Sequence, residues 1–243
     1  MTTLTSFVCA ALIVLEIVFV PLYLKKMWPT KTWQSLGIKM VCATDYLLVA
    51  VTAVISYKGL NVFSAMMLTG FVASWLGDLM LHIPKPTKKF FVIGMLFFMT
   101  AHIFYCMAYI RIQCILPDGM PVFSAAEIIS ALVIVAACFT FCFIKKIRFD
   151  TLFVPCLVYG FFVTMMMIKS ANIGLRLLNN GGYTVPAVLL IIGGICFFLS
   201  DLSLALISFD TRYKKFKLKV FNSVTYFGAQ VCLALTLFFF SAI

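Results

Sequence analysis

The sequence predicts an all-α polytopic membrane protein, a single bundle of about eight transmembrane helices making one domain over residues 1–243. Three observations predict it. The chain is 64% hydrophobic and only 11% charged, against about 45–50% and about 25% in a soluble domain. The apolar residues gather in repeated continuous runs, and a helix crossing the hydrocarbon needs about 20 of them at about 1.5 Å each. Transmembrane strands would alternate instead. The connections between runs are short, which favours antiparallel neighbours in one bundle.

In chain order the predicted spans are Leu4–Leu24, Gly37–Tyr57, Val62–Ile83, Lys89–Ile110, Val122–Ile144, Thr151–Ile168, Tyr183–Phe209 and Leu218–Ile243. The first has no basic residue before it and no Ala-x-Ala site, and it is longer than a signal-peptide core, so it reads as a retained helix. Of the nine cysteines, Cys114 falls in a connection and the rest fall inside spans, as apolar filler. No Cys-x-x-Cys spacing or disulfide framework is present.

A net charge of +11 would suit a nucleic-acid partner if it were clustered on one soluble face. Instead, fifteen of the nineteen lysines and arginines belong to the first, third, fifth and seventh connections, and only Lys58, Arg111, Lys169 and Arg176 to the even ones. Basic residues mark the cytoplasmic side. The expected topology therefore has both termini non-cytoplasmic, the lipid bilayer as the chain's partner, and no nucleic acid. Such a protein would sit in the cell membrane of a bacterium or the endoplasmic reticulum of a eukaryote.

Carboxylates at membrane depth are costly and face a cavity or a partner. Glu16, Asp45, Asp78 and Asp201 are four such residues on four helices. Counted at about 1.5 Å per residue from the cytoplasmic end, Glu16 and Asp201 lie about 12 Å in, Asp45 about 9 Å and Asp78 about 8 Å. A shared layer is what one polar cavity open to the cytoplasm would produce, and Tyr159 and Tyr226 fall at a similar depth. Asn222, Tyr226 and Gln230 follow i, i+4, i+8 and make one polar stripe. Asn222 and Gln230 also suit interhelical hydrogen bonding alone. On the fourth helix His102 and Tyr105 share a face, and on the third Trp75, Asp78 and His82 do. The runs Leu76-Gly77-Asp78-Leu79 and Leu199-Ser200-Asp201-Leu202 are alike and lie four spans apart. They hint at a parallel four-plus-four repeat with one Asp from each half near its axis.

Four ordered blocks carry a family resemblance. They are Gly77-Asp78-Leu79-Met80-Leu81; Gly94-Met95-Leu96-Phe97-Phe98 leading to Ala101-His102-Ile103-Phe104-Tyr105; Gly194 through Ser200-Asp201 and Ala205 to Phe209; and Thr225-Tyr226-Phe227-Gly228-Ala229-Gln230. From about Lys39 onward the chain resembles the lysoplasmalogenase-like membrane proteins, the YhhN family. The resemblance implies an eight-helix enzyme without a metal or other cofactor. Such an enzyme cleaves the vinyl ether bond of lysoplasmalogens to a fatty aldehyde and glycerophosphoethanolamine or glycerophosphocholine. The chain departs from the family at Met40, where a proline often follows the lysine, and in its first helix. Glu16 and Asp45 are not part of the family's pattern.

The chemistry suits the residues. Protonating the β-carbon of a vinyl ether gives an oxocarbenium ion, water adds, and the hemiacetal collapses. An acid and a base are needed, as in the paired carboxyls of glycosidases. Asp78 and Asp201 are the candidate catalytic pair, with the acid and base roles open between them. His102, Tyr105, Tyr159 and Tyr226 are candidates for orienting water or substrate. Lys39, Lys85, Lys88 and Lys89 are candidates for meeting a lysophospholipid's phosphate. A zinc hydrolase needs three ligands, and the sequence has only two histidines, His82 and His102. A proton-coupled transporter would use the same carboxylates but favours helices broken near midspan. Pro21, Pro155 and Pro186 all lie near helix ends.

Overall fold

The computed structural model describes residues 3–56, 60–84, 87–116, 119, 121–181 and 183–240. These form eight α-helices and no strand: α1 Thr3–Met27, α2 Trp33–Ser56, α3 Val62–His82, α4 Lys88–Gln113, α5 Ala125–Ile144, α6 Phe153–Asn179, α7 Thr184–Phe209 and α8 Phe216–Phe240. All eight are long and apolar enough to cross a bilayer. Short 3₁₀ turns at Asp150–Leu152 and Thr211–Tyr213 lead into α6 and α8.

Local chemistry sets several boundaries. Asn61 caps α3 by accepting from Ser64 N at 2.7 Å while Ser64 Oγ accepts from Asn61 N at 3.0 Å. Ser124 and Glu127 make the same reciprocal box on α5, which therefore begins at Ala125 rather than at the expected Val122. The largest departure is α6, which continues past the expected Ile168 to Asn179. Lys169, expected in a connection, is inside α6 and 0% exposed. Its ammonium lies 3.1 Å from both Glu127 oxygens and donates also to Val122 O, and Asn172 Nδ2 donates to Glu127 Oε1 at 2.6 Å. A lysine can lie within a hydrophobic helix when a carboxylate on a neighbouring helix takes its charge. Arg111 and Arg176 are likewise helical, in α4 and α6. Lys58 and Lys85 lie outside the described residues.

Helix α8 is the centre of the bundle. It packs on α7, α2, α1 and α3, and it is the most deeply buried of the eight. Helix α5 is peripheral, and its main neighbour is α6. Pairs α3–α4 and α7–α8 are the closest-packed, and α2–α8 is matched by α6–α4. Those two matches fit a correspondence of α1–α4 with α5–α8, whereas the packing of α1 on α8 has no like counterpart between α5 and α4. Close approach of α3 to α4 depends on Gly70 and Gly77, where a Cβ would lie 2.4 Å from Tyr105 Cε1 and 2.6 Å from Phe98 Cδ2. Asn61 donates to Phe240 O and Ser56 to Thr5 Oγ1 at one end of the bundle. Trp28 meets Phe216, and Phe149 meets Phe209, at the other.

Candidate active site

A cavity of about 780 Å³ enters the bundle at the end bearing the α1–α2 and α7–α8 connections. Asp78 and Asp201 both line it, with Lys39, Tyr226 and Asn222. The two aspartates are held in matching ways. Asp78, on α3 and 1% exposed, receives the hydroxyl of Tyr226 from α8 at 2.6 Å and that of Tyr46 from α2 at 3.3 Å, both on Oδ2. Asp201, on α7, receives the hydroxyl of Tyr159 from α6 at 2.6 Å and lies 3.1 Å from His102 Nε2 of α4, both again on Oδ2. Tyr46 thus corresponds to Tyr159, and Tyr226 to His102, under the same pairing of halves that relates the helix contacts.

The halves differ in charge. Asp78 Oδ1 is ion-paired with Lys39 Nζ at 2.7 Å. Asp201 Oδ1 has no hydrogen-bond donor among the described residues, which leaves it to the cavity. Its neighbour His102 is fully buried, turns Nε2 to Asp201 Oδ2 and Tyr159 OH, and has no partner for Nδ1 among the described residues. With two acceptor oxygens opposite Nε2, the tautomer carrying its proton there satisfies the most groups.

Behind Asp78 a relay of neutral groups runs into the bundle. Gln230 Nε2 donates to Tyr226 OH at 3.0 Å, Tyr105 OH donates to Gln230 Oε1 at 3.2 Å, and Ser74 Oγ lies 3.2 Å from Tyr105 OH. Tyr105 and Gln230 are buried away from the cavity and act on Asp78 through Tyr226. Asn222 clamps α8 to α7, donating to Ser200 O at 2.9 Å and accepting from Lys219 at 2.9 Å.

Glu16 and Asp45 depart from the expected shared cavity. Both are buried, but neither lines the cavity. Their carboxyl groups are neighbours that interact with each other, and no further hydrogen-bond partner reaches Glu16 Oε1, Glu16 Oε2 or Asp45 Oδ2 among the described residues. Counting rise along a helix gives height, not the direction a side chain takes around the axis. Lys88 also lies elsewhere, donating to Thr151 Oγ1. Three cavity-lining lysines were not singled out from the sequence: Lys31, Lys214 and Lys219. Tyr46 was also missed, although it lies seven residues after Lys39 and so on the same helical face. His82 lines the cavity, held by Ser35 Oγ at 3.0 Å and Tyr23 OH at 3.4 Å. No group of three histidine, cysteine or acidic side chains suited to a metal occurs among the described residues.

A second, apolar pocket of about 110 Å³ lies between α4, α5, α6 and α7. Its walls are Phe91, Met95, Val135, Phe139, Val163 and similar side chains. It shares Leu81, Phe98, Asp201, Leu204 and Phe209 with the polar cavity. Asp201 therefore stands at the seam between a polar and an apolar compartment, while Asp78 belongs to the polar one alone.

Eight spanning helices around two internal carboxylates, one in a charged cavity and one at an apolar seam, define a polytopic membrane protein with a buried polar site. The chain matches the YhhN family over residues 34–237 and belongs to that family, the lysoplasmalogenase family. No curated protein and no solved structure matches it.

Proposed function

We propose that the protein, acting as one transmembrane domain, hydrolyses the vinyl ether bond of a lysoplasmalogen, with Asp201 as acid and Asp78 as base. The observation that carries this reading is the position of Asp201 at the seam. A lysolipid placed with its headgroup in the polar cavity and its chain in the apolar pocket brings its ether linkage to Asp201. The cavity volume is of the size that takes small ligands, about 300–1,000 Å³. In a vinyl ether the β-carbon is on the chain side and the α-carbon on the glycerol side. The acid at the apolar seam faces the first, and the carboxylate in the polar cavity faces the second.

The steps follow from those positions. Asp201 Oδ1 gives its proton to the β-carbon as the double bond's electron pair takes it up, leaving an oxocarbenium ion at the α-carbon. Asp78, ion-paired with Lys39 and accepting two tyrosine hydroxyls, takes a proton from water as the water oxygen bonds to the α-carbon. The hemiacetal then loses its hydroxyl proton to Asp201 while Asp78 returns its proton to the departing glycerol oxygen. The products are a fatty aldehyde and a glycerophospho-alcohol, and both aspartates regain their starting states. Tyr159 and His102 fix Asp201 through Oδ2, and Tyr226 and Tyr46 fix Asp78 in the same way.

The transport reading uses the same carboxylates. Helices α3 and α7 run unbroken through Asp78 and Asp201, unlike the discontinuous helices that form many transporter sites. The deciding experiment incubates purified protein with a lysoplasmalogen and, separately, with its saturated ether analogue, and follows aldehyde by mass spectrometry. Aldehyde from the vinyl ether alone is the expected result, and its absence from both refutes the hydrolase reading.

A further inference from the structure

The cavity mouth carries more positive charge than the catalytic groups account for. Lys31 comes from the α1–α2 connection, Lys214 from the α7–α8 connection and Lys219 from the first turn of α8, and all three line the cavity. Among the described residues none is paired with a carboxylate. Asp78 is taken by Lys39, and Asp210, the acid at the rim, by Arg212 at 2.6 Å. Lys219 is buried and uses one of its three donors on Asn222 Oδ1. Lys31 uses one on Leu81 O at 2.6 Å, the carbonyl end of α3. Each of these two ammonium groups therefore keeps two donors unclaimed. Burial, with Lys39 and Lys214 nearby, lowers the Lys31 ammonium from its ordinary range to about 8. Like charges gathered without counter-charge around one concavity stabilise a bound anion and repel one another without it.

We propose that Lys31, Lys214 and Lys219 form a phosphate-binding subsite at the mouth of the cavity, which takes the phosphate ester of a lysolipid headgroup. The inference rests on the lysolipid reading of the site and adds the group by which that lipid is held. It places the phosphate at the mouth, the glycerol between mouth and seam, and the chain beyond Asp201. Among the described residues no unpaired carboxylate lines the mouth to meet an ethanolamine or choline cation. The phosphate is therefore the recognised part, and the more anionic phosphomonoester binds tighter than the zwitterionic phosphocholine ester.

Binding is measured by calorimetry on detergent-purified protein with ligands that cannot be cleaved: a saturated 1-alkyl-glycerol phosphomonoester, its phosphocholine ester, the neutral 1-alkyl-glycerol, and inorganic phosphate. Both phosphate-bearing lipids are expected to bind at least about tenfold tighter than the neutral one at low salt, one charge-assisted bond being enough for that ratio. The preference is expected to shrink with added salt. It is also expected to fall in Lys214→Gln, an exposed side chain whose change leaves the packing intact, and further in Lys31→Gln/Lys214→Gln. Equal binding of neutral and phosphate-bearing lipids overturns the subsite, as does a preference that survives the double substitution. Inorganic phosphate binding as tightly as the lipid phosphomonoester overturns the assignment to a headgroup. Phosphate-selective binding without aldehyde release would leave the subsite standing and remove the hydrolase reading. Aldehyde release without phosphate selectivity would do the reverse.

Discussion

Asp78→Asn and Asp201→Asn remove proton transfer while keeping the side chains' size. At 2.7 Å the Lys39–Asp78 attraction is about 6 kcal/mol at an effective dielectric of 20, before any desolvation is counted. Little of this appears as lost stability. In Asp78→Asn the amide oxygen keeps an acceptor for Tyr226 and Tyr46, and Lys39, 11% exposed in its side chain, can turn into the cavity water. The lost charge-assisted bond costs about 1.5–3 kcal/mol, offset by ending the burial of a carboxylate. Asp201→Asn is milder still, because both its donors converge on Oδ2 and an amide oxygen can take that place. Each variant is therefore expected to fold and to lose about 10²–10⁴ in rate. The double variant should be little slower than the worse single one, since either change disables the same unit. The assay is aldehyde release per folded protein, with thermal unfolding as the control. Either Asn variant turning over at a near wild-type rate in well-folded protein refutes the two-carboxylate mechanism.

Four further outcomes follow from the geometry. Gly77→Ala sets a Cβ 2.6 Å from Phe98 Cδ2 and should destabilise by about 1–3 kcal/mol by overpacking while impairing turnover at the adjacent Asp78; Gly228→Ala, with nothing within 4 Å of the new Cβ, should do neither. Glu127→Gln leaves the Lys169 ammonium buried without its counter-charge and should lower stability by about 3–5 kcal/mol, with Glu127→Gln/Lys169→Met recovering much of it and specific activity unchanged in both, as read by thermal unfolding and aldehyde release. The ammonium of Lys31 is surrounded by Lys39 on α2, His82 on α3, Lys219 on α8 and Lys214, and its proton is held less tightly in the folded state than in the unfolded; binding of the saturated phosphocholine lipid should therefore be strongest below about pH 8 and weaken as pH rises through it, and pH-independent binding across that value would count against Lys31 in the subsite. Tags at Met1 and Ile243 should be inaccessible from the cytosol, because the basic connections mark the opposite side; cytosolic labelling of either would reverse the topology.

Eight helices, their order and the two aspartates follow from the sequence because the bilayer allows few alternatives. A run of about 20 apolar residues has one low-energy form there, and a carboxylate inside such a run must face something polar. The likeness between Gly77-Asp78-Leu79 and Ser200-Asp201-Leu202 was legible for the same reason. Direction around each helix axis was not legible, because it depends on which neighbours pack against which face. Glu16 and Asp45 have the depth of the site residues yet do not line the cavity, while Tyr46, one residue along from Asp45, bonds to Asp78. Lysines were opaque for another reason. Lys31, Lys214 and Lys219 read as topology signal, and Lys169 as loop, because a basic residue near a helix end satisfies both. Tertiary structure decided between them, by enclosing the first three at one cavity mouth with no carboxylate ion-paired to them among the described residues and by giving Lys169 a buried carboxylate on the neighbouring helix.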